Sequence, residues 1–501
     1  MTNDFLASRL DELKNNGFFN SLVIKRGIEK EFFRVDSRGY ISQKSHPGSL
    51  GSSLKNKYIT TDFAEAQVEL VTPTFEDVDE LYDFLYSLHV FVANNLEDGE
   101  MLWPFSMPPK IEDESKINLG YYHQSGIGLL KHVYRKGLKV RYGATMQCVS
   151  GMHYNFSVNQ DSISILKKCF NQKDFNEAYL GLVRNFKRLY WYVLCEFGQT
   201  NVVDKSFVKN RSHNLEELNK DDMYLEHATS LRMSEIGYQS EAQKSLDIKY
   251  NSLTSFLEKI KAAITVPYKE FQEKGLKDPS DEYHQISDGV IQIENEYYDS
   301  IRPKRSSYDN VRPYYLLKNL GIEYLEIRGV DISPSDITGM SKHHIRFLDL
   351  ILIYCLVLPS PKITEEEKEI IDSNEFISIY NGRNNKAKVC INRNKININE
   401  ARAGILEDLK KVADFMNESE SFHDAINHIT SLPKGNLPEN SFHKDGLKKA
   451  KENLKILKSS SAKNIDSIKK EAALSLVELE KMPINSKEEM DEFVKNYNLD
   501  L

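Results

Sequence analysis

The chain has 501 residues, with 74 Asp and Glu against 66 Lys and Arg, giving a net charge of −8. That length supports a large buried core, and the lack of a basic excess leaves no footprint for nucleic acid. The longest apolar run, FLDLILIYCLVLP (347–359), contains Asp349 and is too short to span a bilayer, so no membrane partner is expected.

The five cysteines, Cys148, Cys169, Cys195, Cys355 and Cys390, form no C-x-x-C pair and are odd in number. That fits free thiols in a reducing cytosol. The N-terminal MTNDFLASRLDELK is amphipathic and mixed in charge, unlike a signal peptide. A cytoplasmic location is expected.

Residues 1–20 read as a helix. RGIEKEFFRV (26–35) follows as a buried strand, framed by Ile24, Ile28, Phe32, Phe33 and Val35. Side chains on a strand alternate faces, so Glu29 and Glu31 share one, about 7 Å apart. Buried carboxylates need a cationic partner. Two oxygen ligands on a rigid element suit a hard divalent ion; the alternative pairs one glutamate with Arg26 or Arg34 and leaves the other in solvent.

ITTDFAEAQVELVTP (59–73) predicts a second strand, with Phe63, Glu65, Gln67 and Glu69 on one face. EDVDELYDFLYSLHVFVANNL (76–96) has helical periodicity. Loop-like sequence covers 99–128, where Gly126 and Gly128 read as a turn. GMHYNFSV (151–158) alternates His153, Asn155 and Ser157 against Met152, Tyr154, Phe156 and Val158. Helices are predicted over 175–198 and 251–264, with irregular chain at 199–230. VIQIENEYY (290–298) reads as a strand aligning Gln292, Glu294, Glu296 and Tyr298, followed by IRPKR as a basic loop. GIEYLEIRGVD (321–331) aligns Tyr324, Glu326 and Arg328. His343 and His344 are expected at the surface of a helix start, ahead of a buried helix over 347–359. Thr364 with Glu367 forms a capping box. Most of 400–485 reads as helical, with a loop at 432–440 and a solvated lysine face over 447–458.

Five predicted strands therefore each pair an apolar face with a face of acids, amides, a histidine and an arginine. A merely solvated face of an antiparallel sheet also alternates, but with lysine and threonine mixed in. No G-x-x-x-x-G-K-[ST] or G-x-G-x-x-G stretch occurs, so a nucleotide must be held by side chains and metal.

The strings RGIEKEFFRV, ITTDFAEAQVELVTP, MLWPFSMP, YRKGLKVRYGATMQCVSGMHYNFS, ATSLRMSEIGY, QIENEYYDSIRPKR and GIEYLEIRGVDISP occur in this order. Together they resemble the glutamate–cysteine ligases of proteobacterial type (γ-glutamylcysteine synthetases), which belong to the glutamine synthetase-like carboxylate–amine ligases. The resemblance implies an α+β fold: a curved antiparallel sheet, helices on its convex face and a helical C-terminal region. Residues 1–360 would form the catalytic core, and 361–501 would pack on it as one structural unit.

The resemblance also implies chemistry. ATP would phosphorylate the γ-carboxylate of L-glutamate, and the amine of L-cysteine would attack the γ-glutamyl phosphate, with two or three Mg²⁺ or Mn²⁺ ions bound. By position, the metal ligands fall on Glu29, Glu31, Asp62, Glu69, His153 and Glu326. Asp62 is off the face of Glu69 by parity and must sit at a strand entrance or a bulge. Glu326 and Arg328 are implied as catalytic, and Arg302, Lys304 and Arg305 as the ATP clamp. Tyr134, Arg135, Gln147, Arg232, Tyr238 and Tyr298 are implied around the two amino acids. Relatives more often carry serine at the position of Gly329 and threonine at that of Cys148. A monomer with glutathione as feedback inhibitor is expected. A sibling ligase using another amine is the first alternative. A non-catalytic metal- or nucleotide-binding relative is the second, but it should have lost a ligand position, and all six are present.

Overall fold

The computed structural model describes residues 3–170, 174–306, 311–435, 437–499 and 501. The first two residues of the expected N-terminal helix and Asn436 of the expected 432–440 loop lie outside the described residues; within them the helix spans Asn3–Asn15.

The centre is a seven-stranded antiparallel sheet: β1 (Ile24–Val35), β2 (Ile59–Thr61), β3 (Gln67–Val71), β4 (Met101–Leu102), β5 (Met152–Val158), β6 (Ile301–Lys304) and β7 (Tyr324–Val330). Their order is β2-β3-β1-β5-β7-β6, with β4 paired to the end of β1. Ile28 and Phe32 of β1, Tyr154 and Phe156 of β5, and Leu325 and Ile327 of β7 enter one apolar core. The helices Val78–Asn94, Phe175–Phe197 and Lys342–Val357 cover that face. Asp349, alone in the apolar run, is fully buried. It accepts from Arg26 Nε at 2.7 Å and from Tyr154 Oη at 2.6 Å, which ties the helix to β1 and β5. This removes Arg26 as a partner for Glu29 or Glu31.

Several predicted elements differ. Residues 59–73 are two strands, not one: the chain reverses between Thr61 and Gln67, with Asp62 N–H donating to Gln67 C=O. No Gly, Pro or Asn marks this turn, so the alternation reads through it. Glu65 consequently leaves the face of Glu69, and its carboxylate accepts the amides of His46 and Tyr121. Residues 290–298 form no strand. A single 3-10 turn covers Glu294–Glu296, and its polar groups alternate because each finds its own partner: Glu296 meets Arg141 and Glu294 meets Arg312. The expected basic loop supplies instead the edge strand β6.

Gly126 and Gly128 open the helix Gly126–Tyr142 rather than a turn, with Ser125 as its N-cap. His344 is buried and closes a capping box with Ser341; His343 is half-buried and stacks on His428. Thr364 caps the next helix, accepting from the Glu367 amide, but the Glu367 side chain pairs with Arg188 instead of closing the expected capping box. In the irregular 199–230 stretch, Val202–Asp204, Glu216–Glu217 and Asp222–Tyr224 form a small sheet.

Beyond residue 361, the helices Ile398–Phe415 and Ser419–Ser431 share the main apolar core, and Phe442–Ser459 lays Gly446 under Trp103. An unforeseen helix, Lys487–Leu499, packs on Gly126–Tyr142, with the Phe493 ring against Gly126. Among the described residues, no helix is long and apolar enough to cross a membrane.

Candidate active site

The register of the sheet gathers the acids. Glu29 stands opposite His153, Glu31 opposite Glu69, and Glu326 opposite Asn155 on one side and Arg302 on the other. Strand parity turns all of these to the face away from the helices. The turn after β2 brings Asp62 over the same face, which resolves its parity mismatch. All six lie on the wall of one cavity of about 590 Å³.

Within it, His153 bridges two carboxylates. Its Nδ1 is 3.4 Å from Glu29 Oε2 and its Nε2 is 3.5 Å from Glu31 Oε1. Asn155 donates to Glu29 at 2.9 Å. Ligand atoms of Glu29, Glu69 and His153 converge within 4.8 Å of one another. Burial and the Glu326 charge would raise the Glu29 carboxyl, but the His153 hydrogen bond and the charges of His153 and Lys304 together hold the group below its usual value. Glu31 is raised, chiefly by burial. Glu69 is raised well above the carboxylate range by burial and then by the charges of Asp62, Glu29 and Glu31. Carboxylates this crowded, with oxygen and imidazole donors converging on one point, fit a hard divalent cation.

Glu326 behaves oppositely. Burial opposes its ionisation, but Lys304, Arg302 and Arg328 hold it far below the usual range. Arg302 Nη2, Arg328 Nη1 and Lys304 Nζ approach it at 3.0, 3.2 and 3.6 Å. Arg328 also donates from Nε to Tyr238 Oη at 2.8 Å. Tyr238 packs on Tyr298 with ring centroids 4.4 Å apart, and Tyr298 donates to Gln147 at 3.1 Å. Tyr134, Arg135 and Arg232 complete that wall.

Not every expected residue reaches the cavity. Arg305 is not on its wall; the guanidinium donates to the carbonyls of Leu320 and Gly321. Cys148 is fully buried behind it. The thiol donates to Ala144 C=O at 3.4 Å, and burial raises its pKa, so it packs rather than reacts. Gly329 is required here because a Cβ would lie 2.0 Å from Tyr190 Oη. Sequence reasoning missed Lys55, Lys131, Asn295 and Tyr497, which line the cavity. Lys131 precedes Tyr134 and Arg135 by three and four residues, so helical spacing would have found it had 126–142 been read as a helix.

Acids, arginines and lysines converging on one rigid sheet face define a site for chemistry between anions, which need cations to approach each other. Comparison with known proteins specifies it. The family model described as "Glutamate-cysteine ligase" matches residues 10–377. Two similar proteins are the glutamate–cysteine ligase of Hahella chejuensis, 42% identical over 75% of this chain and 73% of its own, and that of Saccharophagus degradans, 39% identical over 82% and 78%. Among solved structures, the glutamate–cysteine ligase of Francisella tularensis in complex with AMP superposes with a TM-score of 0.89, at 29% identity, over 95% of this chain and 98% of that one. The chain belongs to the glutamate–cysteine ligase family. It is an ATP-dependent ligase forming γ-glutamylcysteine, the first step of glutathione synthesis.

Proposed function

We propose that the sheet-face cavity performs both steps of this ligation. The observation that carries the reading is the register, which sets Glu29 beside His153, Glu31 beside Glu69, and Glu326 beside three cations. Glu29, Glu31, Asp62, Glu69, His153 and Glu326 would hold Mg²⁺ or Mn²⁺. When bound, the ions neutralise the ATP phosphates and the glutamate carboxylate as these approach.

The remaining roles fall to the chain's own side chains. Lys304 and Arg302 sit at the β6 end and suit the ATP phosphates; Arg305, turned to the Leu320 and Gly321 carbonyls, is left out of this assignment. The AMP held by the Francisella relative agrees with a nucleotide in this fold. A γ-carboxylate oxygen attacks the γ-phosphorus and ADP leaves. Arg328, steadied by Glu326 and Tyr238, meets the transferred phosphoryl group. The cysteine amine then attacks the γ-carbon, phosphate departs and the nitrogen loses a proton. Tyr134, Gln147, Tyr238 and Tyr298 wall the cysteine, while Arg135 and Arg232 stand on the amino-acid side.

Glutathione contains the product's γ-glutamyl and cysteinyl groups, so feedback inhibition at this cavity is part of the proposal. So are a cytoplasmic monomer and a single structural unit in which 361–501 pack on the 1–360 core; the shared apolar core supports the latter. The deciding experiment is ADP release with glutamate and a panel of amines. Cysteine should be preferred and 2-aminobutyrate accepted at a fraction of its rate, since a mostly apolar pocket discriminates modestly. Equal use of methylamine or ammonia would transfer the chain to the sibling ligases.

A further inference from the structure

Glutamate brings three charged groups to the cavity, and only its γ-carboxylate reacts. The α-carboxylate needs a cation whose donors are not already committed, and most of the cavity's cations are.

Arg135 donates from Nε to Asp62 C=O, from Nη1 to Lys131 C=O at 2.9 Å and from Nη2 to Thr61 C=O at 3.3 Å. Arg232 gives Nε to Asp331 at 2.8 Å and Nη2 to the carbonyls of Arg328 and Val330. Arg302, Arg328 and Lys304 pair with Glu326, and on the reading above they face the phosphates. Among the described residues, only Lys55 and Lys131 line this cavity with an ammonium that meets no carboxylate or carbonyl.

The two are not equivalent. Lys55 lies on an irregular segment, whereas Lys131 stands on the capped helix Gly126–Tyr142, on the face that carries Tyr134 and Arg135. Its Nζ sits 5.2 Å over the Tyr122 ring, which positions a cation without neutralising it. Lys131 is also at the β3 end, near Glu69, while Lys304 is on β6 at the far edge of the sheet. Burial, then the neighbouring Arg135, bring its pKa down to about 8 against the opposing charge of Glu69.

We propose that Lys131 holds the α-carboxylate of the glutamate substrate, and so sets the enzyme's requirement for an α-amino acid. This rests on the ligase reading above. The carboxylate would sit at Lys131 Nζ, completing a charge pair that the free enzyme leaves open.

The test compares wild type, Lys131→Gln and Lys131→Arg in steady-state ADP release. The second substrate is 4-aminobutyrate, which is glutamate without its α-carboxylate. Losing a charged hydrogen bond should raise KM for glutamate about ten- to a hundredfold in Lys131→Gln. KM for ATP and for cysteine should stay within about twofold, and Lys131→Arg should recover part of the loss. The wild-type preference for glutamate over 4-aminobutyrate should fall by the same factor as KM rises. An unchanged preference in Lys131→Gln would overturn the proposal, as would a rise in KM for ATP instead of glutamate. A wild-type enzyme that releases ADP no faster with glutamate than without it would overturn the ligase reading itself and this proposal with it. Thermal unfolding of each variant separates a binding defect from a folding one.

Discussion

Glu31 and Glu69 stand directly opposite each other on neighbouring strands, and both face the sheet-face cavity. Like charges across a ladder destabilise a sheet. Glu69→Gln should therefore make the metal-free protein more stable, by about 1 kcal/mol. The same change should abolish the rise in Tm that Mg²⁺ gives the wild type, and cut turnover about a hundredfold or more. Thermal unfolding with and without MgCl₂ reads both effects. A less stable metal-free variant would mean that Glu69 serves the fold and not a cation.

Glu326 is the reverse case. Its one carboxylate pairs with Arg302, Arg328 and Lys304 at once, in a buried setting. Breaking a buried pair by removing one partner costs about 3–5 kcal/mol. Glu326→Gln should thus lower Tm as well as activity, unlike Glu69→Gln. Near-normal ADP release at saturating Mg²⁺ would sink the assignment of Glu326 to the site.

The contrast shows how far the sequence reaches. Alternation on β1, β5 and β7 foretold Glu29, Glu31, His153 and Glu326 on one face, because a strand's period is 2 and its ladder is continuous. The same rule misfired at 290–298. There Gln292 and Glu296 alternate with apolar residues, yet the segment is irregular, and Arg141 from a distant helix satisfies Glu296. Long-range partners of that kind leave no local trace. The commitments of Arg135 and Arg232 to backbone carbonyls were equally invisible, since a carbonyl has no residue code. Motif order carried the family; only coordinates could say which cations are already occupied.

A pH-dependent test comes from the buried Asp299, just ahead of β6. It accepts from Lys187 at 2.7 Å, Tyr250 at 2.6 Å and Tyr297 at 3.0 Å. Burial would raise its carboxyl, but the charge and hydrogen bond of Lys187, with the Tyr250 hydroxyl and the Ser300 amide, together hold it below the usual value. Its folded pKa is thus below the unfolded value of about 3.9. The stability it confers is present above that pH and is lost as pH falls through the folded pKa. Asp299→Asn should cost about 3–5 kcal/mol near neutrality. The gap between the two melting curves should close below about pH 4. A gap independent of pH would assign the loss to packing.

Gly329→Ala should be unusually harmful for so small a change. The new methyl would meet the Tyr190 ring at 2.5 Å and its hydroxyl at 2.0 Å. Such overpacking costs about 1–3 kcal/mol. Since Gly329 follows Arg328 on β7, kcat should fall together with Tm. Chemical denaturation and ADP release measure the two; an unperturbed variant would show that Tyr190 moves aside freely.

The helix Lys487–Leu499 does more than cover Gly126. Through Tyr497 it forms part of the cavity wall, although it joins the fold far from any strand of the sheet in sequence. During translation the sheet, its acids and its arginines are all made long before this helix leaves the ribosome. A nascent chain from which only the sheet has emerged therefore still lacks the part of the cavity wall that Tyr497 supplies.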